Sequence, residues 1–140
     1  MSRVLRALLP IAALIAAPLQ AQTVQVRAGE FATAWAEANL EPVKPLFAET
    51  IRLTMEGRSH TGVRPTQVLA ALTPILDAHE PAAPTLVRLQ EMGDENESAF
   101  AEYRWDSTNS DTGAPIGYTL LLIFERAESS WAIVELRVMP

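Results

Sequence analysis

Ile116-Gly117-Tyr118-Thr119-Leu120-Leu121-Leu122-Ile123-Phe124-Glu125 carries the reading of the fold, together with Trp131-Ala132-Ile133-Val134-Glu135-Leu136-Arg137-Val138-Met139, which follows after a turn at Glu128-Ser129-Ser130. The first stretch is apolar on both parities at Leu120, Leu121, Leu122 and Ile123, so it needs cover on both faces and reads as a central strand. The second alternates. Ala132, Val134, Leu136 and Val138 share one side of it, and Trp131, Ile133, Glu135 and Arg137 share the other. Because the first set holds no charge, it is expected to face the core. Upstream, Thr85 to Met92 and Ser98 to Ser107 read as two more strands, joined by a turn at Gly93-Asp94-Glu95-Asn96. In the latter, Ala99, Ala101, Tyr103 and Trp105 oppose Phe100, Glu102, Arg104 and Asp106, and the first four are expected inside. Thr108 to Gly113 is a polar loop.

The first half of the chain is helical around one strand. Between Val24 and Asn39, Val26, Phe31, Trp35 and Ala38 recur at near-helical spacing, with Arg27, Glu30 and Glu37 between them. Pro42 suits the first turn of a short second helix, which Pro45 keeps brief. Glu49 to Glu56 alternates Ile51, Leu53 and Met55 with Arg52 and Thr54, a half-buried strand that stops at Gly57. Arg64 to His79 carries the stripe Val68, Leu69, Leu72, Ile75 and Leu76, in which Pro74 should kink the helix or restart it with Thr73 as cap. His79 to Pro84 is a proline-rich connector. The sum is an α+β domain with helices on one face of a curved, mostly antiparallel sheet, and Trp35 and Phe47 are expected to pack with Leu72 and Ile75 against it.

Ahead of this domain, Arg3 and Arg6 precede an apolar run from Ala7 to Leu19 that ends at Leu19-Gln20-Ala21, the layout of a secretory signal peptide. The run is short for a membrane span and is interrupted by Pro10 and Pro18. Cleavage is expected after Ala21, with Leu19 larger than the usual residue at its position, so residues 1–21 are assigned to the leader and 22–140 to the domain. Export to the periplasm, or beyond it, follows if the source is bacterial. In that setting the Asn96-Glu97-Ser98 sequon carries no meaning, and no stable membrane span is expected after cleavage.

Removing Arg3 and Arg6 leaves nine basic residues against 17 acidic ones, a net charge of −8, which argues against nucleic acid and anionic membranes as partners. There is no cysteine, which removes disulfides, thiol catalysis and zinc–thiolate sites and leaves stability to apolar packing and oligomer contacts.

Three phrases resemble the nuclear transport factor 2-like superfamily, the cone-shaped α+β fold also used by ketosteroid isomerase and scytalone dehydratase. They are Phe31-Ala32-Thr33-Ala34-Trp35 leading through Asn39-Leu40-Glu41-Pro42-Val43 to Leu46-Phe47, His60-Thr61-Gly62-Val63 before a helix, and Ser130 to Val138 at the end. The ending also resembles an uncharacterised exported bacterial family of that superfamily. The resemblance implies a conical cavity between sheet and helices, and a homodimer formed through the outer face of the sheet. It does not select a function, because the superfamily holds enzymes, ligand binders and partner-binding modules. No catalytic motif of ketosteroid isomerase matches residue by residue, and His60 and His79 do not reproduce a His and Asp pattern of scytalone dehydratase.

The candidate residues each have a plain structural alternative. His60, in a strand-to-helix loop, is a rim residue or an exposed loop histidine. His79, at a helix end near Asp77 and Glu80, suits the negative end of the helix dipole. Two histidines so far apart form no metal motif, so no metal and no cofactor are expected. Tyr103, Trp105 and Tyr118 are the candidate ligand-binding residues, being aromatic with polar tips, although aromatics on alternate strand positions also build cores. Glu56 and Asp77 are isolated carboxylates that nothing marks as acids or bases.

These features favour an exported, non-catalytic module that binds a small apolar ligand or a protein partner. The alternatives are an isomerase, dehydratase or cyclase of small hydrophobic substrates, and an envelope assembly subunit. The doubly apolar strand predicts a homodimer through the outer sheet face, centred on Trp131, Ile133 and the outward side of Leu120–Phe124.

Overall fold

The computed structural model describes residues 23–140; the expected leader lies outside the described residues. In order come helix α1 (Val24–Ala36), a 3-10 helix (Glu41–Leu46), strands β1 (Phe47–Met55) and β2 (Arg58–Val63), helix α2 (Pro65–Asp77), and strands β3 (Thr85–Met92), β4 (Ser98–Thr108), β5 (Pro115–Ala127) and β6 (Ser130–Met139). The strands form one six-stranded sheet in the order β2-β1-β6-β5-β4-β3. Only the β1–β6 pair is parallel, and β5 is interior, between β4 and β6, as its two apolar faces require.

Thr23 caps α1, its hydroxyl accepting from the Val26 N–H at 3.2 Å. The buried stripe of that helix is Val24, Ala28, Phe31, Ala34 and Trp35. Val26, which the spacing put on the apolar side, instead stands 48% exposed. The stripe runs through Val24 and Ala28, and Val26 lies roughly 200° around the helix from Val24, since each residue advances about 100°.

Two elements depart from the sequence reading. Residues 58–63 pair with β1 as a hairpin instead of forming a loop, so His60 sits on a strand. Glu56 and Gly57 both take positive φ, 54° and 75°, which closes a tight turn matched to strand twist. Five of the six β2 residues are exposed, so the strand lacks the apolar alternation that would have marked it. Helix α2 also passes through Pro74 without restarting. The Ala78 N–H donates to the Pro74 carbonyl at 3.1 Å, and the Thr73 hydroxyl donates back to the Leu69 carbonyl at 2.7 Å rather than capping a new helix.

The faces of β6 need a correction. Ile123 of β5 stands opposite Glu135, but the next residue, Phe124, stands opposite Ile133, so Val134 has no partner. This bulge reverses the strand's parity midway. Trp131 and Ile133 before it, and Leu136 and Val138 after it, all point inward and are at most 5% exposed. Ala132 and Val134 therefore belong to the outer face, and Trp131 and Ile133 cannot centre a contact there. In β4 no bulge intervenes against β5, and Ala99, Ala101, Tyr103 and Trp105 are buried as expected. Trp35, Phe47 and Leu72 join the same core, with Ile75 packed partly buried against it.

Candidate functional site

Between helices and sheet runs a column of aromatic rings. Phe31 and Trp35, one turn apart on α1, have ring centroids 5.8 Å apart, and the edge of Phe47 approaches Phe31 at 6.5 Å. Trp35 then meets Trp105 of β4 edge to face at 5.2 Å. Trp105 lies beside Tyr118 at 5.7 Å, and the imidazole of His79 stands edge-on to both, 5.6 Å from Trp105 and 6.0 Å from Tyr118. Geometries of this kind suit the ring quadrupoles. The Trp105 indole N–H donates to the Ala82 carbonyl at 3.0 Å, which ties the proline-rich connector to the sheet.

His79 is held from α2. Its Nδ1 lies 2.6 Å from the Ile75 carbonyl oxygen, which can only accept, so Nδ1 carries a proton and Nε2 is the nitrogen left to accept when the ring is neutral. Where the column reaches the surface, a pocket of about 80 Å³ remains, lined by Met55, Glu56, Ile75, Tyr118, Val138 and Pro140. Of the three aromatics singled out from sequence, Tyr118 alone lines it. Trp105 is stacked below Tyr118, and Tyr103 lies in the core, where burial raises its phenol pKa above the usual value.

The other candidates are dispersed. Glu56 is at the pocket rim. Asp77 lines a separate groove of about 320 Å³ between α2 and the 3-10 helix, where Lys44 pairs with Glu41 at 3.0 Å. His60 lines a third, of about 410 Å³, between β2 and α2. Among the described residues no group of three or more histidines and carboxylates converges on a metal position, and no helix is long and apolar enough to cross a membrane. Sequence reasoning missed the place of His79 in the aromatic cluster. It follows from the α2 end lying against β4 and β5, where Ser110 N–H donates to the Ala78 carbonyl and Glu80 N–H to the Thr108 carbonyl, each at 2.9 Å.

No family model matches the chain, and no curated protein matches it in sequence. Solved structures do. A nuclear transport factor 2-like protein from Shewanella oneidensis superposes with a TM-score of 0.57 at 17% identity, over 80% of this chain and 92% of that one. The chain has the nuclear transport factor 2-like fold. A ketosteroid isomerase-like protein from Erwinia carotovora is similar at 17% identity with a TM-score of 0.65, over 82% of this chain and 91% of the other. A DUF4783 family protein from Bacteroides ovatus is similar at 15% identity and 0.61, over 77% and 89%. At such identities the likeness is one of fold.

On the outer face of this nuclear transport factor 2-like sheet, Phe100, Leu121, Ile123 and Val134 form a half-buried apolar strip. Charged pairs flank it: Arg88 with Glu102 at 2.9 Å, Arg104 with Asp106 at 3.2 Å, and Arg137 with Glu135 at 2.6 Å. The Arg88 guanidinium also lies 5.3 Å from the centre of the Phe100 ring. Gly117 leaves room for Arg104 to fold over the strand, since a Cβ there would fall 1.8 Å from a guanidinium nitrogen.

Proposed function

We propose that the chain is an exported, non-catalytic binding module that associates as a homodimer through its outer sheet face and seats a small apolar group at the mouth of the cone. The aromatic column carries this reading. Trp35 and Trp105, both at most 1% exposed, fill the space between helices and sheet and leave a pocket of only about 80 Å³ at the rim. That volume takes a branched aliphatic or methylated end of a ligand, with the rest outside. The edge of Tyr118 would supply the contact, with Trp105 supporting it from below and Tyr103 further inside.

The dimer reading rests on the strip Phe100, Leu121, Ile123 and Val134, which the helices cannot cover because they occupy the other face. Its flanking ion pairs would form a polar rim. Sedimentation equilibrium tests it: the wild-type chain should be a dimer at tens of micromolar, roughly the range in which weak dimers persist, and Ile123→Glu a folded monomer. A monomeric wild type removes the proposal.

For the pocket, a series of linear and branched short alcohols added to the protein should shift the ring signals of Tyr118 and His79, the branched ones more. Equal or absent shifts would refute it. A second reading, an isomerase, dehydratase or cyclase of small hydrophobic substrates, is favoured by His79, whose Nε2 is the nitrogen available for proton transfer beside the Tyr118 phenol. It predicts a His79→Gln variant with its fold retained and its turnover abolished. Export is proposed from the leader alone, and mass spectrometry of protein recovered outside the cytoplasm should find an N-terminus at Gln22.

A further inference from the structure

We infer that the groove between α1 and the 3-10 helix docks a basic amphipathic helix of a partner protein. The groove has a volume of about 470 Å³, and Val26, Gly29, Ala34 and Val43 line it, with Glu30 and Glu37 also at its wall. It lies on the helical layer, on the opposite side of the domain from the sheet surface proposed for the dimer.

Three observations converge on it. Val26 is one of three exposed large apolar side chains among the described residues, at 48%, and stands apart from the buried stripe of its helix. Glu30 and Glu37, two turns apart, form no ion pair among the described residues, and no basic residue lines the groove. By contrast, the charges of the outer sheet face are largely paired with one another. An apolar floor with two uncompensated carboxylates is complementary to apolar side chains flanked by lysine or arginine.

Gly29 is the third. It stands in the interior of α1, where glycine is a poor helix former, and a Cβ built on it meets nothing within 4 Å among the described residues. Among the described residues no contact calls for a missing side chain at that position. A helix laid against α1 from outside does, because it brings a second backbone or its side chains close over Gly29. The groove wall from Val26 to Glu37 is roughly 16 Å long at 1.5 Å per residue, which matches about three turns of a partner helix. A second copy of this acidic chain is a poorer occupant, since like charges would meet.

The test uses the isotope-labelled full chain and an amidated peptide of about 14 residues, long enough for helix to form on binding, with lysine and leucine at helical spacing. A scrambled peptide of the same composition is the control. The patterned peptide should shift the amide signals of Val26, Gly29, Thr33 and Glu37, and its affinity should fall as salt is raised. The double variant Glu30→Lys, Glu37→Lys should weaken binding about tenfold or more. Gly29→Gln is the sharper variant: its Tm should equal or exceed that of the wild type, because glutamine favours helix, while its binding is lost. Equal binding of the scrambled peptide, perturbation centred on another face, no binding at all, or full binding by Gly29→Gln would each overturn the proposal.

Discussion

The indole of Trp35 on α1 meets that of Trp105 on β4 edge to face, ring centres 5.2 Å apart and planes at 86°. The contact joins the helical layer to the sheet at the centre of the cone. It gathers Phe31 from one side and Tyr118 and His79 from the other into one aromatic column. Trp35→Ala would leave a large cavity there that rigid neighbours cannot close. It should cost on the order of 3–5 kcal/mol, read as a fall in urea midpoint. An unchanged midpoint would contradict the packing.

The bulge at Val134 makes a contrast between two isoleucines. Ile133 is fully buried and Ile123 half-buried on the opposite face. Ile133→Glu places a carboxylate in the core without a partner and should unfold the domain or cost about 3 kcal/mol or more. Ile123→Glu should stay folded and, apart from the stability lost with the dimer contact, keep an unfolding free energy within about 0.5 kcal/mol of the wild type, the range usual for surface changes. Circular dichroism of the two variants separates the face assignments, and similar losses would contradict the bulge.

Pro74 lies inside α2 at an exposed position. It supplies no N–H to the Ala70 carbonyl, one turn back. Pro74→Ala should restore that hydrogen bond and stabilise the domain by roughly 1–3 kcal/mol, the scale of proline's penalty in a helix interior. A destabilised variant in chemical denaturation would show that the proline is needed for the path of α2.

Tyr103 predicts an alkaline dependence. Burial raises its pKa, so above about pH 10 the unfolded phenol loses its proton while the native one still holds it. The unfolded state then binds fewer protons than the native state, and stability falls as pH rises. The contribution is intact below the unfolded value and disappears as pH climbs through the folded one. Tyr103→Phe should flatten the loss measured by denaturation between neutral and strongly alkaline pH. Ultraviolet titration should find the Tyr103 phenol ionising above its ordinary value of about 10.

Much of the fold was legible along the chain because it is written in local period. The alternation of Ala99, Ala101, Tyr103 and Trp105 assigned a face, the doubly apolar Leu120–Ile123 placed β5 in the interior of the sheet, and the stripe through Leu69, Leu72 and Leu76 marked α2. Strand β2 was not legible. Its residues are solvated, and it exists because the Glu56-Gly57 turn folds it back on β1.

What the sequence determined by itself was therefore the α+β class, the number and order of most elements, the interior place of β5 and the inward face of β4, since side-chain period records which side of an element avoids water. The tertiary structure alone decided which side of β6 is inward, because a single unpaired residue, Val134, inverts parity and is set by pairing with β5 rather than by composition. It also decided that Trp105 and Tyr103 are core while Tyr118 reaches the surface, and that His79 joins them. Those relations depend on how far the end of α2 lies from β4 and β5, a distance between segments remote in sequence that no local pattern encodes.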